Sequence, residues 1–163
     1  MNSLKYRVLQ TLLVCLLLQP FSSGAIDTIV TGDWTDLSIT ADDLAAGPGS
    51  ALNGTYESPV GLVKIDVVNT AGNSDTWRVD VRRTDFTWSG TTSLAVKRHD
   101  DGAGAGTISG GLGYQTISTT DLSFFSGSGD RTGINIQLRI SNLSLELSPG
   151  NFSTTITYTV VDT

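Results

Sequence analysis

Nine residues near the C-terminus constrain the fold more than any other stretch. Phe152, Thr154, Ile156, Tyr158 and Val160 alternate with Ser153, Thr155, Thr157 and Thr159. A strict period of two puts these sets on opposite faces of a pleated strand, whereas a helix would scatter them around its circumference. The residues are β-branched or aromatic on the apolar side and hydroxylated on the other, which suits a half-buried strand. Phe152, Ile156, Tyr158 and Val160 are therefore expected to face a core.

The same period recurs upstream. Ile134, Ile136, Leu138 and Ile140 alternate with Asn135, Gln137 and Arg139. The phase then slips, because Leu143, Leu145 and Leu147 stand at odd positions. A one-residue slip turns every side chain over, so a bulge, a bend or a crossing between sheets is expected at Ser141-Asn142. Val63, Ile65 and Val67 form one more alternating set, and Trp77, Val79 and Val81 another. The turn-forming segment Asn69 to Ser74 between them suits a hairpin, with Lys64 and Asp66 facing Arg78, Asp80 and Arg82. Weaker strands are expected at Trp34–Ile39, Leu94–Val96, Tyr114–Ile117 and Leu122–Phe125, and a short helical turn at Ala41–Ala46 capped by Thr40. Short strands broken by Gly and Asn turns, with no helical stripe, predict a single all-β domain over residues 26–163. Its expected form is an antiparallel β-sandwich, Ig-like or jelly-roll-like. A closed barrel is the alternative; a transmembrane barrel would need an apolar lipid face on every strand, where this chain has Lys, Arg, Asp, Thr and Ser.

The N-terminus carries an address. Met1 to Arg7 is basic, Leu9 to Leu18 is apolar, and Ser23-Gly24-Ala25 supplies small residues, the order of a secretory signal peptide over residues 1–25. The apolar run is shorter than the roughly 20 residues that span a bilayer. Cleavage after Ala25 would start the mature chain at Ile26 and remove Lys5 and Arg7, taking the net charge from -6 to -8. So acidic a chain is a poor partner for nucleic acid. The only cysteine, Cys15, lies in the leader, so neither a thiol nucleophile nor a disulfide is expected in the mature domain.

The residues that might carry chemistry are few. His99 is the only histidine, and beside Asp100-Asp101 it reads as a solvated turn rather than part of a triad. Loop carboxylates can bind calcium, which makes Asp100, Asp101 and Asp130 weak candidates, although no Asp-x-Asp-x-Asp loop is present. Gly102 to Gly106 lacks the Lys-Ser/Thr ending and the setting of a phosphate loop, and it reads as part of a flexible glycine-rich stretch from Asp100 to Gly113. Trp77 is in phase with the core, Trp88 reads as core or edge, and Trp34 and Tyr114 are the aromatics left over for stacking on sugar. Neither catalysis nor a cofactor is expected.

From Leu147 to Val160 the chain resembles the closing segment of bacterial surface β-sandwiches of the chaperone–usher pilin and spore coat protein U type: a Pro149-Gly150 turn, an aromatic residue, then a Thr- and Val-rich last strand. The paired cysteines that many such pilins carry are absent. The resemblance implies a bacterial, exported, non-catalytic subunit that self-associates or joins other surface subunits by lending a strand. Two functions are thus expected to compete: a structural subunit of a fibre, pilus, coat or matrix, and a secreted carbohydrate-binding module with or without calcium. The segment placed to act as a lent strand is the mature N-terminus, with Ile26, Thr28 and Val30 on one face; the alternative is that it forms the first strand of its own domain.

Overall fold

The computed structural model describes residues 25–35, 37–85, 87, 91–147 and 149–163. The expected leader with Cys15 lies outside them except for Ala25, as do Asp36, Phe86 and Trp88. Ten strands are described: β1 (Asp27–Thr31), β2 (Thr55–Glu57), β3 (Val63–Val68), β4 (Thr76–Asp85), β5 (Ser93–Arg98), β6 (Ile108–Gly110), β7 (Gln115–Thr116), β8 (Leu122–Ser128), β9 (Arg131–Ser141) and β10 (Thr154–Asp162). They form two antiparallel sheets packed face to face, an all-β sandwich. One sheet runs β1-β3-β9-β5-β7, with β2 also on β9; the other runs β10-β4-β8-β6.

The alternating sets meet between the sheets. Ile65, Val67, Ile134, Ile136 and Val96 of the first sheet and Trp77, Val79 and Val81 of the second are fully buried. Val63 and Leu138 are nearly so, and Ile140, Ile156, Tyr158 and Val160 pack half-buried against this core. Trp77 lies edge-on to Phe125, with ring centroids 6.0 Å apart, and its indole N–H donates to the Gly129 carbonyl at 2.8 Å.

Four expectations are corrected. β3 and β4 are not a hairpin: they lie in different sheets, and residues 69–75 arch from one to the other. Each strand buries a whole apolar face, so the two pack face to face, and the expected charge pairs cannot form. Arg78 instead pairs with Asp80 along β4 at 2.6 Å. Phe152 is not part of the C-terminal core strand, because β10 starts at Thr154 and Phe152 is 42% exposed. Residues 34–39 form no strand among the described residues. The Asp100–Gly113 stretch, expected to be flexible, is paired: it contains β6 and lies along the β8–β9 turn through an Ala103–Thr132 bridge.

The phase slip at Ser141-Asn142 is a crossing between sheets. β9 ends there, Asn142 takes a left-handed φ of 60°, and the chain returns as β10 in the opposite layer. The expected helical turn is a single 3-10 turn, Ala41–Asp43, with Thr40 and Asp43 forming a capping box.

Candidate functional site

The three aspartates weighed as calcium ligands are each held by their own chain. Asp100 accepts from the Asn135 side-chain amide, from the Asn135 backbone N–H at 3.1 Å and from the Gly102 N–H at 3.1 Å. Burial works to raise its pKa; the bonds from Asn135 and Gly102 outweigh that and hold it below the usual carboxylate range. Asp101 pairs with the guanidinium of Arg98, which is itself buried and donates to the Gly110 and Asp100 carbonyls. Asp130 accepts from the Thr70 hydroxyl and N–H, and these bonds lower its pKa. No group of three metal-ligating side chains forms among the described residues. Asp100 therefore acts as a brace between the glycine-rich segment and β9. A carboxylate with a depressed native pKa stabilises the fold above its unfolded value, about 3.9, and loses that contribution as pH falls through the native value. The stability advantage of wild type over Asp100→Asn, followed by urea midpoints, should be full at pH 6 and shrink below about pH 4.

The two aromatics left over for stacking, Trp34 and Tyr114, are each in contact with their own chain. Trp34 packs against the core. Tyr114 carries the Arg139 guanidinium 3.9 Å and the Lys97 ammonium 4.6 Å from its ring centroid. Burial first and the Glu57 carboxylate second push its phenol up to about 12, against the opposing pull of Arg139.

What distinguishes the molecule is one long flank. On the far side the sheets end in β6 and β7, of three and two residues, and Gly110 and Gly111 at the end of β6 have positive φ. On the near side they end in β1 and β10, of five and nine residues. β1 pairs with β3 of its own chain from Asp27↔Val68 to Thr31↔Lys64. Of the two expected placements of Ile26, Thr28 and Val30, the single chain shows the one as an edge strand of its own domain: Thr28 and Val30 lie within five successive own-chain pairs, and Ile26 packs against the core.

β10 pairs only with β4 among the described residues. The register is unbroken from Thr154↔Asp85 to Asp162↔Trp77, and Thr163 continues it by donating to the Thr76 carbonyl. Directly opposed residues in an antiparallel ladder are alternately bonded and non-bonded. Thr155, Thr157, Thr159 and Val161 therefore spend their main-chain groups on β4, and those of Ile156, Tyr158 and Val160 point out of the sheet edge. From Thr154 to Val161 this edge carries no charge and no proline, the features that usually block an edge.

Beside this edge the sandwich opens at one end into a cleft of about 1250 Å³. Leu94, Leu138 and Ile140 line it from one sheet, and Ile156 and Tyr158 from the other. Two loops contribute to its lining, through residues 32–35, 37–41, 44 and 52 of one and 143–145, 147 and 149–153 of the other, and the out-of-phase Leu143, Leu145 and Leu147 are among them. The phase slip signalled that these leucines leave the sheet; nothing in the sequence showed that they would line a cleft. No family model, curated protein or solved structure matches the chain, so the residues and their arrangement carry the functional argument.

Proposed function

We propose that the protein is an exported, non-catalytic structural subunit of an extracellular fibre, coat or matrix, assembled by pairing of exposed sheet edges. The observation that carries this is β10: nine residues at a sheet edge, uncharged up to Val161, with outward main-chain groups at Ile156, Tyr158 and Val160. The leader-like N-terminus and the bacterial surface resemblance of residues 147–160 support the same reading. The strand is complementary to itself. A twofold axis at Tyr158 sets Ile156 opposite Val160 of a second copy and Thr157 opposite its Thr159, so all nine residues pair. Cross-strand Thr pairs and apolar pairs each add about 0.2–1 kcal/mol to the main-chain bonds. β1, whose Ile29 and Val30 are 49% and 43% exposed, offers a second edge on the same flank for growth beyond the pair.

Thr157 and Thr159 provide the test. In the protein starting at Ile26, Thr157→Lys with Thr159→Lys sets like charges opposite one another twice per pair. It should raise the dissociation constant at least about tenfold by sedimentation and remove regular assemblies from electron micrographs. Thr157→Glu with Thr159→Lys restores opposite charges in the same register and should recover association. Equal association in both variants, or a wild type that stays monomeric at high concentration, sinks the proposal.

A further inference from the structure

β10 carries more than an exposed edge. Asn151 to Val161 is the longest stretch after Ala25 with no charged residue, glycine or proline. From Thr154 onward it holds only threonine, isoleucine, tyrosine and valine, residues that favour a pleated strand. A short segment of high β-propensity without charge, glycine or proline is the composition that stacks into cross-β fibrils. No other strand has so long an uninterrupted run: Asp66 breaks β3, Lys97 ends the run in β5, Gly127 breaks β8, and Gly133 and Arg139 bound that in β9. The fold also leaves this segment the easiest to release. It is the last strand, it is laddered only to β4 among the described residues, and residues 142–153 tether it to β9. Its inward Ile156, Tyr158 and Val160 are half-buried, whereas Trp77, Val79 and Val81 of β4 are fully buried, and β4 keeps its ladder to β8 when β10 leaves. A terminal edge strand opens locally at lower cost than the strands inside a sheet.

We propose that Thr154–Val161 is a cross-β segment whose partner is the same segment in further copies of the chain. The proposal rests on the edge-pairing reading for its register, the twofold axis at Tyr158. That register serves both sides of the strand. The outward main-chain groups of Ile156, Tyr158 and Val160 bond one neighbour. Once β10 leaves β4, those of Thr155, Thr157, Thr159 and Val161 face the other side, where a second axis at Tyr158 sets Thr157 against Thr159 and Thr155 against Val161. Alternation keeps Ile156, Tyr158 and Val160 of every copy on one face, and two such faces close into a dry zipper. Pairing of β10 in its folded place stops at two copies, because β4 takes its other side; a released β10 has two free sides.

The test staples β10 to β4. Arg82 and Thr157 are directly opposed, and a bonded antiparallel pair holds its Cα atoms about 5.5 Å apart, within the span of a disulfide. In the protein from Ile26 onward, Arg82→Cys with Thr157→Cys supplies the only cysteines. Oxidation locks the strand on β4, reduction frees it, and its outer edge is the same in both forms. In mild urea the reduced form should grow thioflavin-positive fibrils at least about tenfold faster than the oxidised form. These fibrils should diffract at about 4.7 Å and about 10 Å. A synthetic Asn151–Val161 peptide should form such fibrils alone, and its Tyr158→Pro version should stay soluble. A soluble wild-type peptide, fibrils growing equally fast from the oxidised and reduced protein, or a protease-resistant fibril core that excludes residues 151–161 would overturn the proposal. Sedimentation without urea reads edge pairing separately: association should be equal in the two redox forms, and its absence from both sinks the edge-pairing reading while the peptide and the staple still decide this one.

Discussion

Trp77→Ala should lower the unfolding free energy by about 3–5 kcal/mol, read from urea denaturation of the protein beginning at Ile26. The side chain has no solvent exposure. Its removal takes away the largest apolar surface in the core and leaves a void that the two flanking sheets, each held by its ladder, cannot close. It also orphans the Gly129 carbonyl, which accepts the indole N–H at 2.8 Å, and an unpaired buried acceptor adds about 1–3 kcal/mol. A domain of ordinary stability has about 5–15 kcal/mol in all, so the variant should sit at the edge of folding at 37 °C. Trp77→Phe separates the two causes. It keeps most of the ring volume against Phe125 but loses the hydrogen bond, and should cost clearly less than the alanine change. Ring packing reaches into sequence choice elsewhere: a Cβ on Gly127 would stand 2.6 Å from a Trp77 ring carbon, so the tryptophan and that glycine are one packing unit. A loss below about 1 kcal/mol for Trp77→Ala would show that the space between the sheets is not close-packed there.

Periodicity made the layers legible and left their connectivity hidden. Val63, Ile65, Val67, Trp77, Val79, Val81, Ile134, Ile136 and Leu138 are all buried, as a period of two requires. The same pattern cannot say which buried strands pair side by side and which stack face to face, because both arrangements use the same inward residues. The turn between β3 and β4 therefore looked like a hairpin and is an arch. Phe152 kept the right phase by position, yet residues 151–153 belong to a loop that lines the cleft, and phase says nothing about where a ladder starts.

The candidate site was legible only in fragments. The threonine-rich last strand was visible; that it would be an edge was not, since edge or centre is decided by strand order, which rests on contacts far apart in sequence. The leucine triplet announced itself as a phase error. The aspartates illustrate the opposite case: composition offered Asp100, Asp101 and Asp130 to a cation, and the fold gives each a protein partner.

The glycine-rich segment yields the sharpest case of a hidden constraint, and Gly106→Ala should cost roughly 3 kcal/mol, at the high end for overpacking. Residues 102–107 lie antiparallel to residues 128–132, with Ser128 donating to the Thr107 carbonyl at 2.9 Å and Ala103 exchanging bonds of 2.7 and 2.8 Å with Thr132. In this register every second residue of the first segment faces the second segment's backbone, and every second residue is glycine. A Cβ on Gly102 would run into the Thr132 carbonyl, one on Gly104 into the Asp130 carbonyl, and one on Gly106 into the Ser128 carbonyl. These obstacles are main chain on both sides, so no side chain can swing away to make room. Gly106 isolates this effect, because its φ lies outside the left-handed region and alanine there meets only a lack of space. Gly113→Ala is the control: no atom lies within 4 Å of its added methyl and its φ is also ordinary. That change should be neutral or stabilise by up to about 1 kcal/mol through the unfolded chain. Differential scanning calorimetry of both variants checks the pair. If the two alanines have equal effects, the segment is the flexible stretch its composition suggests; a large loss at Gly106 alone shows that Gly-x-Gly-x-Gly encodes a strand pressed flat on another backbone.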